Sequence, residues 1–99
     1  MSLADVKHSY EFVLVVSVKV GEKTEELVNK FKDLIEKHAE ISNISRWGKK
    51  KFTYPINKEP EGEYVLFEFS STSEFPEELD RVSKITDGVL RSMIVRKDA

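Results

Sequence analysis

The stretch YEFVLVVSV, residues 10–18, is dense in β-branched and aromatic side chains and is apolar at both alternating sets of positions. Such residues favour strands, and a strand that is apolar on both faces belongs in the middle of a sheet. Gly21 stands just beyond it as a terminator. The sequence therefore predicts a central strand near the start of the chain.

Two segments carry the apolar period of a helix. From Thr24 to about Ala39 the apolar residues form one stripe, made of Leu27, Val28, Phe31, Leu34 and Ile35. A second helix is predicted over residues 73–86, where Pro76 is acceptable only in the first turn. Its inward-facing residues are predicted to be Phe75, Leu79, Val82 and Ile85.

The remaining segments alternate as strands do. A long strand is predicted over residues 41–56 with a bulge at Gly48, then a turn-rich connection over 57–62, a hairpin strand over 64–69 and a last strand over 89–96. The order βαββαβ predicts an α+β, ferredoxin-like sandwich: a four-stranded antiparallel sheet with two helices on one face. The first and third strands then lie in the middle of the sheet.

The sheet face without helices is a candidate protein-partner surface. If Phe12, Leu14 and Val16 point at the helices, their neighbours in the strand point away. The uncovered face is then predicted to present an apolar patch with an arginine beside it, consisting of Val13, Val15, Tyr64, Leu66, Arg91, Met93 and Val95. A register shifted by one residue, or the ordinary exposure of single apolar side chains, is the alternative interpretation.

Composition limits the class of protein. With 99 residues, the chain has room for one domain, predicted over residues 10–97, and residues 1–9 are interpreted as a flexible leader or a remnant of cloning. No apolar run approaches the roughly 20 residues that span a bilayer, so no membrane partner is expected. The absence of cysteine indicates a reducing, cytoplasmic location and removes thiolate metal sites.

Motifs of catalysis are missing from the sequence. The two histidines, His8 and His38, lie far apart, and there is no nucleophile elbow, P-loop or dinucleotide fingerprint. The acylphosphatases, enzymes of the same topology, carry a glycine-rich phosphate loop after the first strand, where this chain has one glycine and no arginine. The sequence predicts a protein that is not an enzyme and has no cofactor, metal or small-molecule substrate.

Positive charge is gathered on the strands although the net charge is −2. Residues 46–58 carry five bases and no acid, and three more bases lie between 91 and 97, whereas both helices are acidic. This separation favours local, salt-sensitive binding of a polyanion. The lysines at 49–51 are also explained as protection of an edge strand against pairing with another sheet.

Aromatic residues give a mixed signal for RNA. Trp47 either stacks on a base or packs on the protein itself. Glu63 and Val65 occupy the positions where sheets of the RNA-recognition-motif type carry stacking aromatics. Any RNA contact is therefore expected from strand ends, edges and loops, which favours recognition of shape over base identity.

Four segments of the chain carry a family likeness. They are YEFVLVVS from Tyr10, GKKKFTYPINK from Gly48, EGEY from Glu61 and GVLRSMIVR from Gly88. Together they resemble the bacterial ribosomal-protein family conventionally numbered six in the small subunit, over about residues 10–97. Phe52 replaces the usual leucine of that family, and Thr53 replaces a small alanine or serine.

The resemblance implies a structural component of the subunit platform that binds the central domain of 16S ribosomal RNA together with ribosomal protein number eighteen. The apolar patch becomes the candidate docking surface for that protein, and the isolated chain is expected to be a monomer. The alternative is a homodimeric ferredoxin-like regulatory or ligand-binding module that uses the open sheet face. The candidate RNA contacts are Arg46, Lys49, Lys50, Lys51, Arg91, Arg96 and Lys97.

Overall fold

The computed structural model of the protein describes residues 7–19 and 21–97. The elements follow the predicted βαββαβ order: β1 (His8–Ser17), α1 (Gly21–His38), β2 (Glu40–Ile56), β3 (Glu59–Ser71), α2 (Phe75–Ile85) and β4 (Val89–Arg96). Strand β1 begins two residues earlier than predicted, at His8. Residues 1–6 of the predicted leader lie outside the described residues.

The sheet is antiparallel and has the predicted arrangement. Its strand order is β2-β3-β1-β4, so β1 and β3 are central and β2 and β4 form the edges. The expected bulge in β2 is confirmed, because the pairing of β2 with β3 shifts register between Arg46 and Gly48, and Gly48 has a φ of 81°. A positive φ of this size suits glycine, which has no Cβ to clash.

The core lies between the sheet and the two helices. Phe12, Leu14 and Val16 of β1 are fully buried, as are Val65 and Phe67 of β3. Full burial of one such side chain stabilises the fold by roughly 1.5–3 kcal/mol. The helices contribute Val28, Phe31, Ile35, Phe75 and Leu79 to the same cluster.

The last turn of α2 differs from the prediction at Ile85. This residue was expected to face the core but is 70% exposed, so that prediction is wrong. Ser83 takes the buried place, with its hydroxyl 2.7 Å from that of Ser92 on β4 and donating to the carbonyl of Asp80 at 2.8 Å. A hydroxyl whose hydrogen bonds are formed is tolerated in the core. The spacing of apolar residues cannot predict that a serine takes a buried position.

The hairpin between β2 and β3 is tighter than the turn-rich composition of residues 57–62 suggested. Only Asn57 and Lys58 form the turn, and both have positive φ, 50° and 67°. Two central residues with positive φ are what a type I′ hairpin turn requires. Strand β3 therefore already begins at Glu59, and the predicted loop over 57–62 is wrong beyond its first two residues.

One consequence of this hairpin is an arch in β2. The register steps from Lys51↔Glu61 directly to Ile56↔Glu59, so residues 52–55 of β2 face only Pro60. Pro60 has no N–H to donate to a neighbouring strand. Because it lies where the pairing of β2 with β3 is interrupted, no hydrogen bond between the strands is lost. We call residues 52–55 the β2 arch.

Within residues 7–19 and 21–97, neither helix has the length and apolar content needed to cross a bilayer.

Candidate nucleic-acid interface

The face of the sheet opposite the helices brings the predicted patch together in rows. Val13 pairs with Leu66 on one side and with Met93 on the other. Val15 pairs in the same way with Tyr64 and Arg91. Partners in register share a face, so these side chains lie on the open face. Met93 is 55% exposed, and Val95 is exposed as well.

Val15 does not form part of the exposed surface. It is only 2% exposed, so its predicted exposure is wrong although its face is right. A Cβ added to Gly62 would lie 2.9 Å from Cζ of Phe52 and 3.1 Å from Cγ1 of Val15. The Phe52 ring and the Val15 side chain therefore both lie beside Gly62. We attribute the burial of Val15 to Phe52 of the β2 arch, whose position a regular alternation of strand residues does not reveal.

An aromatic cluster lies on the open face near Val15 and Gly62. The Tyr64 ring is stacked on Trp47, with ring centroids 6.2 Å apart and an interplanar angle of 16°. Phe52 lies 6.2 Å from Tyr64 at 58°. Trp47 thus packs on Tyr64 outside the helix-side core, while 49% of it stays exposed. Offset ring pairs of this kind hold their members in place.

A cleft opens beside the cluster. Its volume is about 370 Å³, and it is lined by residues 51–56, Tyr64 and Arg91. Tyr54 in the arch is 80% exposed. No acidic side chain is among these lining residues. The amino-acid sequence alone does not predict this cleft, because the cleft depends on the interruption in register. The one local signal is the Tyr54-Pro55 pair, which favours extended backbone at the tyrosine.

Arg46 is committed to two carboxylates. Its Nη1 and Nη2 donate to Glu25 Oε2 and Oε1 at 2.9 and 2.7 Å, and its Nε donates to Glu63 Oε2 at 2.7 Å. These hydrogen bonds raise the pKa of Arg46 and lower the pKa of the Glu25 carboxyl. The arrangement joins α1, β2 and β3, and it favours a structural role over a phosphate contact.

The three lysines after Gly48 are not equivalent. Lys49 Nζ lies 3.7 Å from Glu61 Oε1. Across the described ranges, Lys50 and Lys51 form no ion pair, and the same holds for Arg91. Charges without a local partner are the ones most available to an external polyanion.

The far end of the open face has a different character. Lys97 Nζ lies 3.1 Å from Glu68 and 3.5 Å from Glu11. The hydrogen bond from Lys97 lowers the pKa of Glu68. Arg96 Nη2 lies 2.9 Å from Nδ1 of His8. The predicted RNA contacts at 96 and 97 are therefore engaged within the chain, and acidic groups surround Lys97.

Known proteins resemble the whole of this fold. The family model described as Ribosomal protein S6 matches residues 9–96. The small ribosomal subunit protein bS6 of Thermoanaerobacter pseudethanolicus is 49% identical over 92 residues, which cover 91% of this chain and 97% of that protein. The bS6 protein of Caldanaerobacter subterraneus is 48% identical over 92 residues, with the same coverage of 91% and 97%.

A solved structure agrees with the sequence relatives. The crystal structure of 30S ribosomal protein S6 from Thermotoga maritima matches with a TM-score of 0.86 at 28% identity, over 93% of this chain and 89% of that one. Bacterial ribosomal proteins work in the cytoplasm, in agreement with the expected location. The chain belongs to the ribosomal protein S6 family, whose members are structural, non-enzymatic components of the small ribosomal subunit.

Proposed function

We propose that the chain binds the central domain of 16S ribosomal RNA together with ribosomal protein number eighteen. The observation that carries this proposal is the position of Lys50, Lys51 and Arg91, which have no ion pair in the described part of the chain. Lys51 and Arg91 line the same cleft although they lie on opposite edge strands. In a chain of net charge −2, such a local excess of cations suits RNA phosphates.

RNA affinity of the isolated chain is weak under this proposal. Both helices are acidic and cover the other face of the sheet, so only one side of the protein attracts a polyanion. Few unpaired cations give few phosphate contacts and a modest salt dependence. A partner protein that supplies further positive charge completes the interface.

The partner surface is the middle of the open face. Met93 and Val95 are exposed there, with Val13 and Leu66 in the adjoining rows. A contiguous apolar surface on a monomer is typical of a protein interface. Binding of the partner and binding of RNA are then coupled, since each restricts the geometry of the other.

A filter-binding titration at several salt concentrations tests the RNA part. The variant with Lys50→Ala and Lys51→Ala, measured with ribosomal protein number eighteen present, should bind RNA more weakly. Its slope of log affinity against log salt should fall by about one for each lysine. The matched control replaces Lys23 and Lys30 of α1 by alanine, which removes the same charge from the acidic side of the protein.

The outcome separates two roles for the lysines. An unchanged salt slope in the Lys50/Lys51 variant would assign them to protection of the edge strand. Tight, salt-insensitive RNA binding by the chain alone would contradict coupled assembly.

The partner surface is tested by calorimetric titration with ribosomal protein number eighteen. Met93→Ser should weaken that binding at least several-fold, because Met93 lies in the middle of the open face. Ile85→Ser is the matched control, since Ile85 is an exposed apolar residue of α2 on the helix side. Equal affinities of the two variants would remove the open face as the docking surface.

A further inference from the structure

The cleft beside the β2 arch brings positive charge and aromatic rings together. Lys51 and Arg91 bring two cations to it, and within residues 7–19 and 21–97 no acidic side chain lines it. Tyr54 and Tyr64 bring aromatic rings, of which Tyr54 is 80% exposed. The cleft therefore suits a ligand that carries an anionic group and a flat ring.

The size and the backbone of the cleft narrow the ligand further. The volume of about 370 Å³ is at the lower end of the range for small-ligand sites. A cleft of this size suits one unit of a polymer, such as a single nucleotide, rather than a longer segment. The arch lies outside the registered pairing with β3, so its amide and carbonyl groups are not committed to ladder positions. Such groups are suited to hydrogen bonds with the edge of a base.

Two neighbouring aromatic rings hold the Tyr64 side chain in place. Trp47 is stacked on it and Phe52 lies against it at a wide angle. Pro55 fixes its own φ and restrains the backbone of Tyr54, which reduces the entropy lost when the arch binds a ligand. The Tyr64 side chain and the β2 arch are thus ordered before a ligand binds.

We infer that this cleft binds one unpaired nucleotide of RNA, with its base against Tyr54 and its phosphate near Lys51 and Arg91. The inference rests on the proposed RNA-binding function and adds a base-binding site to it. A peptide is the less suitable occupant, because the basic partner expected at the open face is repelled by the two cations. The sequence favours recognition of RNA shape over base identity, and this inference adds one base contact to that expectation.

Nucleoside monophosphates test the site without a partner or a structured RNA. The full chain, labelled with ¹⁵N, is titrated with each of the four nucleoside 5′-monophosphates and with ribose 5-phosphate. A nucleotide should shift the amide signals of Lys51, Tyr54 and Tyr64, and should quench the fluorescence of Trp47, the single tryptophan of the chain. Ribose 5-phosphate should bind about tenfold more weakly, because it has no base to stack.

Two variants locate the base. Tyr54→Ala should lower nucleotide affinity about tenfold and leave the affinity for ribose 5-phosphate unchanged. Tyr54→Phe keeps the ring and should bind like the original chain. Since Tyr54 is exposed, neither change threatens the fold.

The results distinguish this inference from the proposed function. Equal binding of ribose 5-phosphate and nucleotides, or signal shifts remote from the cleft, would overturn the inference. If the Lys50/Lys51 variant still weakens RNA binding in that case, RNA binding stands and only the base site is wrong. A loss of affinity for ribosomal protein number eighteen in Tyr54→Ala, with nucleotide binding unchanged, would also overturn it and assign the cleft to the partner.

Discussion

The guanidinium of Arg46 donates two parallel hydrogen bonds to the Glu25 carboxylate, at 2.9 and 2.7 Å, and so ties an edge strand to the start of α1. Glu63 of β3 accepts from the same guanidinium. Paired hydrogen bonds of this fork geometry are stronger and more directional than single contacts. Arg46 thus links β2, the edge strand that carries Lys49, Lys50 and Lys51, to both α1 and β3.

Replacing Arg46 by glutamine should lower the free energy of unfolding by about 1 kcal/mol, the upper end of the range for exposed ion pairs. The control is Arg81→Gln, because among the described residues Arg81 bonds only to Glu78 within α2, at 2.6 Å, and its loss should cost less. Urea denaturation measures both. If Arg46→Gln instead leaves stability unchanged and weakens RNA binding, Arg46 is a phosphate contact and our structural assignment is wrong.

Acid should weaken the same junction. The hydrogen bonds from Arg46 lower the pKa of Glu25 from its ordinary value of 4.5. A carboxyl whose pKa is lower in the folded state contributes stability that is complete above the ordinary pKa and is lost as pH falls through the folded pKa. We therefore expect Glu25→Gln to have a flatter dependence of stability on pH below about 4.5 than the original chain. Parallel curves for the two proteins in that range would contradict the pKa shift.

The sequence predicted the fold well and the site in part, and the difference has a physical basis. Apolar alternation and helical spacing are local, so the element order, the central strands and the inward faces of β1 and β3 could be read directly. The partners of Arg46 are long-range: Glu25 lies 21 residues away in the sequence. The β2 arch arises from the hairpin register, which the two turn residues set and which composition does not display.

We expect position 62 of β3 to tolerate no side chain, because the Phe52 ring of the β2 arch lies beside Gly62. A Cβ there would lie 2.9 Å from Phe52 Cζ and 3.0 Å from the carbonyl oxygen of Val16. Gly62→Ala should therefore lower the free energy of unfolding by about 1–3 kcal/mol, the usual cost of overpacking. Gly21→Ala is the control, since among the described residues no atom other than its chain neighbours and the backbone of its own helix lies within 4 Å of the added Cβ.

The second-site change Phe52→Leu probes the cause of this cost. A shorter side chain at position 52 removes the closest contact, so the double variant should regain part of the stability lost in Gly62→Ala. Thermal or urea unfolding of the single and double variants gives the coupling between the two positions. Additive losses would show that the Phe52 ring is not what Gly62 accommodates.

Lys58 holds a backbone conformation that its side chain disfavours. Its φ of 67° lies in the left-handed region, where residues with a Cβ are strained, whereas Asn57, at 50°, belongs to a type that tolerates this region. Lys58→Gly should raise the free energy of unfolding by about 0.5 kcal/mol, because relief of strain exceeds the added entropy of the unfolded chain. Lys58→Ala removes the same charge but keeps the strain, so it should give no gain. An equal gain in stability for the two variants in urea would show that charge, and not backbone conformation, governs this turn, and no gain for Lys58→Gly would contradict the strain.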